Sequence, residues 1–119
     1  AMDKAWVRSS LAECYARLEA MRLINMRIAA DLELDRMSVA LSSTTKVFGS
    51  ESAIEILRKL AAIVGANGSM RSGSAATLLE GDLEYELRSA TTLTFGGGTN
   101  EIQRELIAQF GLGMPRTQR

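Results

Sequence analysis

Apolar residues recur at helical spacing through the first part of the chain, at Val7, Leu11, Cys14, Leu18, Met21, Ile24, Ile28 and Leu32. Neither glycine nor proline interrupts the stretch from Asp3 to Leu34. Steps of three and four put these positions on one stripe of an α-helix. A second stripe of mostly smaller residues, Ala12, Ala16, Ala20, Leu23 and Ala30, predicts burial of two faces, as for a helix between neighbours in a bundle. Asp31, Glu33, Asp35 and Arg36 then break the pattern, and Asp35 is placed to cap a second helix beginning near Met37.

That second helix is predicted from Met37, Leu41, Thr44, Phe48, Ile54, Leu57, Ala61 and Val64. Gly49 lies in its middle; one long helix is the first expectation and two shorter helices meeting at Gly49 the second, since glycine costs about 1 kcal/mol against alanine in a helix. Gly65-Ala66-Asn67-Gly68 ends the element with residues that tolerate positive φ, and the Gly/Ser/Ala-rich stretch to Gly81 reads as a loop. Helical character resumes from Asp82 to about Thr92, with Leu83, Leu87 and Ala90 on one side, until the threonine run weakens it. A last helix uses Ile102, Leu106, Ile107 and Phe110, is expected to end at Gly111, and is barred from continuing by Pro115. No strand alternation and no internal repeat stand out, so the expected class is all-α, an up-and-down helical bundle segment.

Composition narrows the function more than the fold. A chain of 119 residues has room for one modest core. Its 46% apolar and 24% charged content is that of a soluble globular protein, without a bilayer-length apolar run. The 14 basic and 14 acidic residues cancel, which disfavours nucleic acid and anionic membranes as partners. Cys14, alone, cannot form an internal disulfide, and a reducing, cytoplasmic setting is expected. The absence of histidine removes the usual base of serine and cysteine hydrolases and the commonest transition-metal ligand, so no metal site is expected. Ala1-Met2-Asp3-Lys4 lacks a signal-peptide layout and reads as the start of an internal sequence.

Phe95 to Arg104, FGGGTNEIQR, is the most informative string. A triple-glycine turn where a helix begins lets backbone amides approach a ligand, and the helix N-terminus favours a phosphate or carboxylate. Thr99 and Asn100 can cap the helix or donate hydrogen bonds. A glycine-rich linker followed by a capped helix is the commoner meaning of such a string, and composition alone leaves both open.

The longer string FGGGTNEIQRELIAQFGLGMPR resembles the C-terminal signature of acyl-CoA dehydrogenases, which share a G-G-T-N-E-I-Q-R core. VGANG at positions 64–68 is similar to that family's F-G-G-N-G turn. The resemblance covers nearly the whole chain and implies that residues 1–119 are a partial C-terminal helical domain, without the family's N-terminal helical domain, central β-domain and first C-terminal-domain helix. It implies an FAD-dependent enzyme that desaturates an acyl-CoA thioester between its α and β carbons. By position it places FAD beside Thr99, Asn100 and Glu101, and substrate beside Gly98. It also brings Ala62, Ile63, Val64, Gly65 and Ala66 toward the flavin's adenine-dinucleotide portion in a neighbouring subunit, with Ala62 replacing a glutamine of many members.

The departure that matters most is Gly97, where many members carry the glutamate that abstracts the α-proton. Glycine cannot be a base, so no catalytic residue is expected within the chain. Two alternatives remain: the base lies in the upstream helix, as in other branches, or the subunit depends on a catalytic partner. A non-catalytic helical assembly module that completes a partner's site is therefore the second functional expectation. The string EYELRSATTLTFGGGTNEIQRELIA, with RSGSA before it, is similar to the actinobacterial branch that handles bulky thioesters such as steroid side chains. That resemblance implies a homo- or hetero-oligomer, two different subunits often forming an α2β2 assembly with fewer complete flavin sites than subunits.

Other candidates carry plainer expectations. Glu80, Glu84 and Glu86 read as solvated, with Arg88 one helical turn from Glu84. Met21, Met26, Met37 and Met70 read as core filler, and Trp6 and Tyr15 as packing or interface residues. Cys14 reads as a small buried hydrophobe. The isolated chain is expected to show no turnover, to hold little or no FAD and to self-associate through its second apolar face.

Overall fold

The computed structural model describes residues 2–116. Four α-helices carry the chain: α1 (Ala5–Glu33), α2 (Val39–Val64), α3 (Asp82–Ser89) and α4 (Asn100–Leu112). Short 3-10 segments occupy Gly65–Ser69, Leu79–Gly81 and Ala90–Thr94. No strand occurs among the described residues, and the all-α class stands. The Cα radius of gyration is 17.7 Å within extents of 53 × 31 × 26 Å, against about 13–14 Å for a compact domain of this length. The excess comes from two long helices that lie side by side, with α1 covered by little besides α2.

α1 begins without a side-chain cap; Arg8 instead reaches back to the Met2 and Asp3 carbonyls at 3.0 and 3.1 Å. At its other end Asp35 takes a left-handed φ of 52°, which closes α1 and leaves Asp35 unable to cap the second helix. Ser38 is the cap, its hydroxyl accepting from the Leu41 N–H at 3.0 Å. The second helix accordingly starts at Val39 rather than near Met37, because the chain needs the intervening residues to reverse direction.

α2 is one continuous helix through Gly49. The glycine sits where α1 comes close: a Cβ there would lie 3.0 Å from the Met21 Cε. The two helices are antiparallel, pinned by a Lys59–Glu13 ion pair at 2.7 Å and by Arg17 donating to the Ser52 hydroxyl at 3.4 Å. The Lys59 ammonium holds the Glu13 carboxyl below the ordinary glutamate range, first by hydrogen bonding and then by charge.

On its opposite side α2 packs antiparallel against α4. The face it buries there is not the predicted apolar stripe but Ser43, Val47 and Ser50, while Thr44 is exposed. Small residues at i, i+4 and i+7 let the two backbones approach, and Gly111 of α4 faces Ala40 so closely that a Cβ on Gly111 would stand 3.1 Å from that of Ala40.

The apolar core is small: Val7, Cys14, Val47, Leu83 and Ala90 are its buried members. Cys14 is buried as expected. Leu18, Leu23 and Leu32 are more than half exposed, and Ala12, Ala16 and Ala30 are also exposed, so the two buried faces expected of α1 reduce to one. Met26, Met37, Trp6 and Tyr15 are exposed rather than packed inside.

α3 gives way to 3-10 geometry after Ser89 because hydroxyls compete for backbone carbonyls: Ser89 donates to Tyr85, Thr92 to Ser89 and Thr94 to Thr91, at 2.5 to 2.9 Å. α4 runs through Gly111 and ends at Gly113, φ 66°, where the Gly113 and Met114 amides close on the Ala108 carbonyl. The end moves two residues because Gly113, unlike Gly111, adopts the left-handed cap.

Candidate functional site

The chain from Phe95 to Thr99 forms an exposed turn between the Ala90–Thr94 segment and α4. It closes by hydrogen bonds from the Gly96 N–H to Thr92 O at 2.9 Å and from the Gly98 N–H to Phe95 O at 3.2 Å. Gly97 and Gly98 take φ of 71° and 100°, which side-chain-bearing residues resist. Their surroundings differ. Nothing lies within 4 Å of a Cβ at Gly97, whereas one at Gly98 would meet the Gln103 Nε2 at 2.9 Å. That amide donates to the Gly97 carbonyl at 3.1 Å and braces the turn from within.

Thr99 is the α4 cap, its hydroxyl accepting from the Ile102 N–H at 3.3 Å. Glu101 is exposed at the helix start, and its carboxyl lies below the ordinary glutamate range because its own backbone N–H and then the Thr99 hydroxyl bond to it. A carboxylate so stabilised is a weakened base.

Asn100 points the other way. Only 4% exposed, its Oδ1 accepts from Lys46 Nζ at 2.6 Å and its Nδ2 donates to the Ser50 hydroxyl at 3.0 Å and to Glu51 Oε1 at 3.3 Å. Glu51 also pairs with Arg104. Asn100 therefore offers an outside ligand its backbone, while its side chain is spent on α2. Lys46, Ser50, Glu51 and Arg104 were missed by sequence reasoning; the signal was the Ser43-Val47-Ser50 small-residue spacing, which marks a close helix approach.

The second expected segment lies elsewhere. Ala62, Gly65 and Ala66 are exposed and Ile63 and Val64 half-buried at the far end of α2. From Glu51, beside Asn100, to Val64 is about 20 Å of helix at 1.5 Å per residue. One chain thus separates the two predicted cofactor segments. Glu84 lies in neither; it is held by Arg88 at 3.0 Å with Arg71 at 3.8 Å.

Beside the turn, α1, α2 and residues 92–96 enclose an apolar groove of about 750 Å³, with Leu18, Met21, Ile56, Leu93, Phe95 and Lys46 on its walls. Among the described residues, no three of His, Cys, Asp or Glu gather where they could hold a metal ion, and no buried side-chain nitrogen or oxygen lacks a hydrogen-bond partner. No described helix is long and apolar enough to cross a membrane.

Residues 1–112 match the family model for the acyl-CoA dehydrogenase C-terminal domain. The chain belongs to the acyl-CoA dehydrogenase family. It is 40% identical to acyl-CoA dehydrogenase FadE26 of Mycobacterium tuberculosis over 121 residues, and 35% identical to FadE29 of the same organism over 118; each comparison covers 99% of this chain and 30% of the relative. Among solved dehydrogenases, the Tcur3481-Tcur3483 steroid ACAD superposes with a TM-score of 0.93 at 42% identity. The ChsE4-ChsE5 complex from M. tuberculosis superposes with 0.90 at 40%. In both, 98% of this chain and 30% of the other are covered. The chain thus spans about a third of the length of the dehydrogenases it matches, and these relatives support the steroid branch that its sequence resembles.

Proposed function

We propose that the chain is the C-terminal part of an FAD-dependent acyl-CoA dehydrogenase that desaturates an acyl-CoA thioester between Cα and Cβ. The observation that carries this is the bare, outward-facing Gly97–Glu101 edge in a chain of this family. The residues fit a planar, polar cofactor: two side-chain-free positions allow close approach, and a helix N-terminus follows them. Bound flavin would supply the acceptor for the hydride that leaves Cβ.

This chain's own part is to hold and orient. The Gly98 backbone lies beside the thioester with open space at Gly97, the Thr99 and Asn100 backbone and exposed Glu101 border the cofactor, and residues 62–66 reach a flavin in another subunit. Gly97 has no proton-accepting group, and Glu101 is held as a stabilised carboxylate. The α-proton goes to a base outside these 119 residues, upstream in the same polypeptide or in a partner. Bulky thioesters such as steroid acyl-CoAs are the favoured substrate class, supported by the solved relative titled a steroid ACAD.

The second reading, an assembly module that completes a partner's site, is favoured by the exposed Leu18, Leu23 and Met26 on α1. The test is to purify the full-length subunit, alone and with any dehydrogenase subunit that accompanies it, and to add acyl-CoA thioesters without oxygen. Bleaching of bound flavin by the lone subunit supports the enzyme; bleaching only with the partner supports the module; flavin absent from both preparations removes both.

A further inference from the structure

The glycine turn is flexible by composition, yet both of its ends are tied to one atom. Lys46 Nζ donates to the Thr94 carbonyl at 3.1 Å, just before Phe95, and to Asn100 Oδ1 at 2.6 Å, just after Thr99. The ammonium therefore spans residues 95–99 from beneath. Its stem lies along the apolar groove, and its backbone sits in the middle of α2, the helix packed against α1, α3 and α4. Asn100 is fixed a second time through the Ser50 hydroxyl, which donates in turn to the Val47 carbonyl at 3.2 Å. Hydrogen bonds from a charged donor to part-buried acceptors are stronger than neutral ones.

We propose that Lys46 is a positioning residue, a clamp that joins the two ends of the Phe95–Thr99 turn to α2 and so sets the position of the Gly97–Glu101 edge against the flavin. The proposal rests on the functional reading above for the word flavin, but the clamp itself can be tested without it. Three donors on a tetrahedral ammonium suit two converging acceptors, a backbone carbonyl at the end of a 3-10 segment and a side-chain amide oxygen at a helix start. A methionine of similar length keeps the groove wall and loses both bonds. Arginine keeps the charge and the donors.

The experiment uses the full-length subunit carrying Lys46→Met or Lys46→Arg, with amide hydrogen exchange and flavin titration as paired readouts. In K46M, exchange across residues 95–102 rises about tenfold while residues 10–30 stay as in the unsubstituted protein, because the opening is local. The flavin dissociation constant rises about tenfold in K46M and within about threefold in K46R. Unchanged exchange in K46M overturns the clamp. Raised exchange with unchanged flavin affinity overturns its positioning role, as does a K46R protein no better than K46M. If the unsubstituted subunit takes up no flavin, the functional reading falls, and the exchange measurement alone supports or overturns the clamp.

Discussion

The seam between α2 and α4 and the exposed apolar positions of α1 are built to the same helical period and meet opposite fates. In the seam, Ser43, Val47, Ser50 and Asn100 are buried, and Asn100 and Ser50 hydrogen-bond to each other with Lys46 on the Asn100 oxygen. On α1, Leu18, Leu23, Met26 and Leu32 remain 57–65% exposed. The more hydrophobic surface is the bare one. Periodicity records which face a helix can bury; a neighbour must be present to bury it, and along α1 this chain supplies only α2. The seam needs no large side chains because its close approach replaces area with contact at short range.

The comparison is broken most severely at Asn100. Asn100→Ala removes the partner of Lys46 and Ser50 inside the seam, and denaturant unfolding is expected to show a loss of about 2–3 kcal/mol. A loss below about 1 kcal/mol would show that apolar contact alone holds α4. Gly111→Val comes next, at about 1–3 kcal/mol by overpacking against Ala40. Gly97→Glu, where the Cβ direction is open, should cost only about 1–2 kcal/mol of left-handed backbone strain.

The α1 side should behave in the reverse manner. Leu18→Gln with Met26→Gln is expected to change the stability of the isolated chain by no more than about 0.5 kcal/mol, while sedimentation shifts toward monomer. A large stability loss without that shift would mean that α1 is already fully packed.

The smallest effect is in pH. The Glu101 and Glu13 carboxyls both lie below the ordinary value of 4.5 when folded. Their contributions are full above that value and fade as pH falls through the lower folded one. Lys59, raised above 10.5 chiefly by its hydrogen bond to Glu13, contributes fully below that value and loses its share as pH rises through the raised one. Glu101→Gln should flatten the acid limb of the stability profile, and Glu13→Gln both limbs; an unchanged acid limb in E101Q would show that the α4 cap does not depend on that charge.

Sequence reasoning reached α1, the unbroken α2 and the glycine turn because each depends on residues a few positions apart. The same locality explains its errors. Asp35 and Ser38 both suit a cap, and only the reversal between α1 and α2 selects Ser38. Gly111 and Gly113 both suit a helix end, and the approach of Ala40 leaves Gly111 inside α4. Locality also hides the direction of the Asn100 side chain, which turns toward α2 because a partner 50 residues away in sequence supplies its hydrogen bonds.

Two things were determined by the sequence itself. One is the helical class, written in spacing and in the positions of glycine and proline. The other is the lack of a base at Gly97, since no fold can give glycine a carboxylate. Only the tertiary structure decided which stripe of α2 is buried, that Lys46 reaches both ends of the turn, and that residues 62–66 stand far from residues 97–101. Each of these depends on where distant segments meet in space, and a pattern read along one helix carries no term for its neighbour.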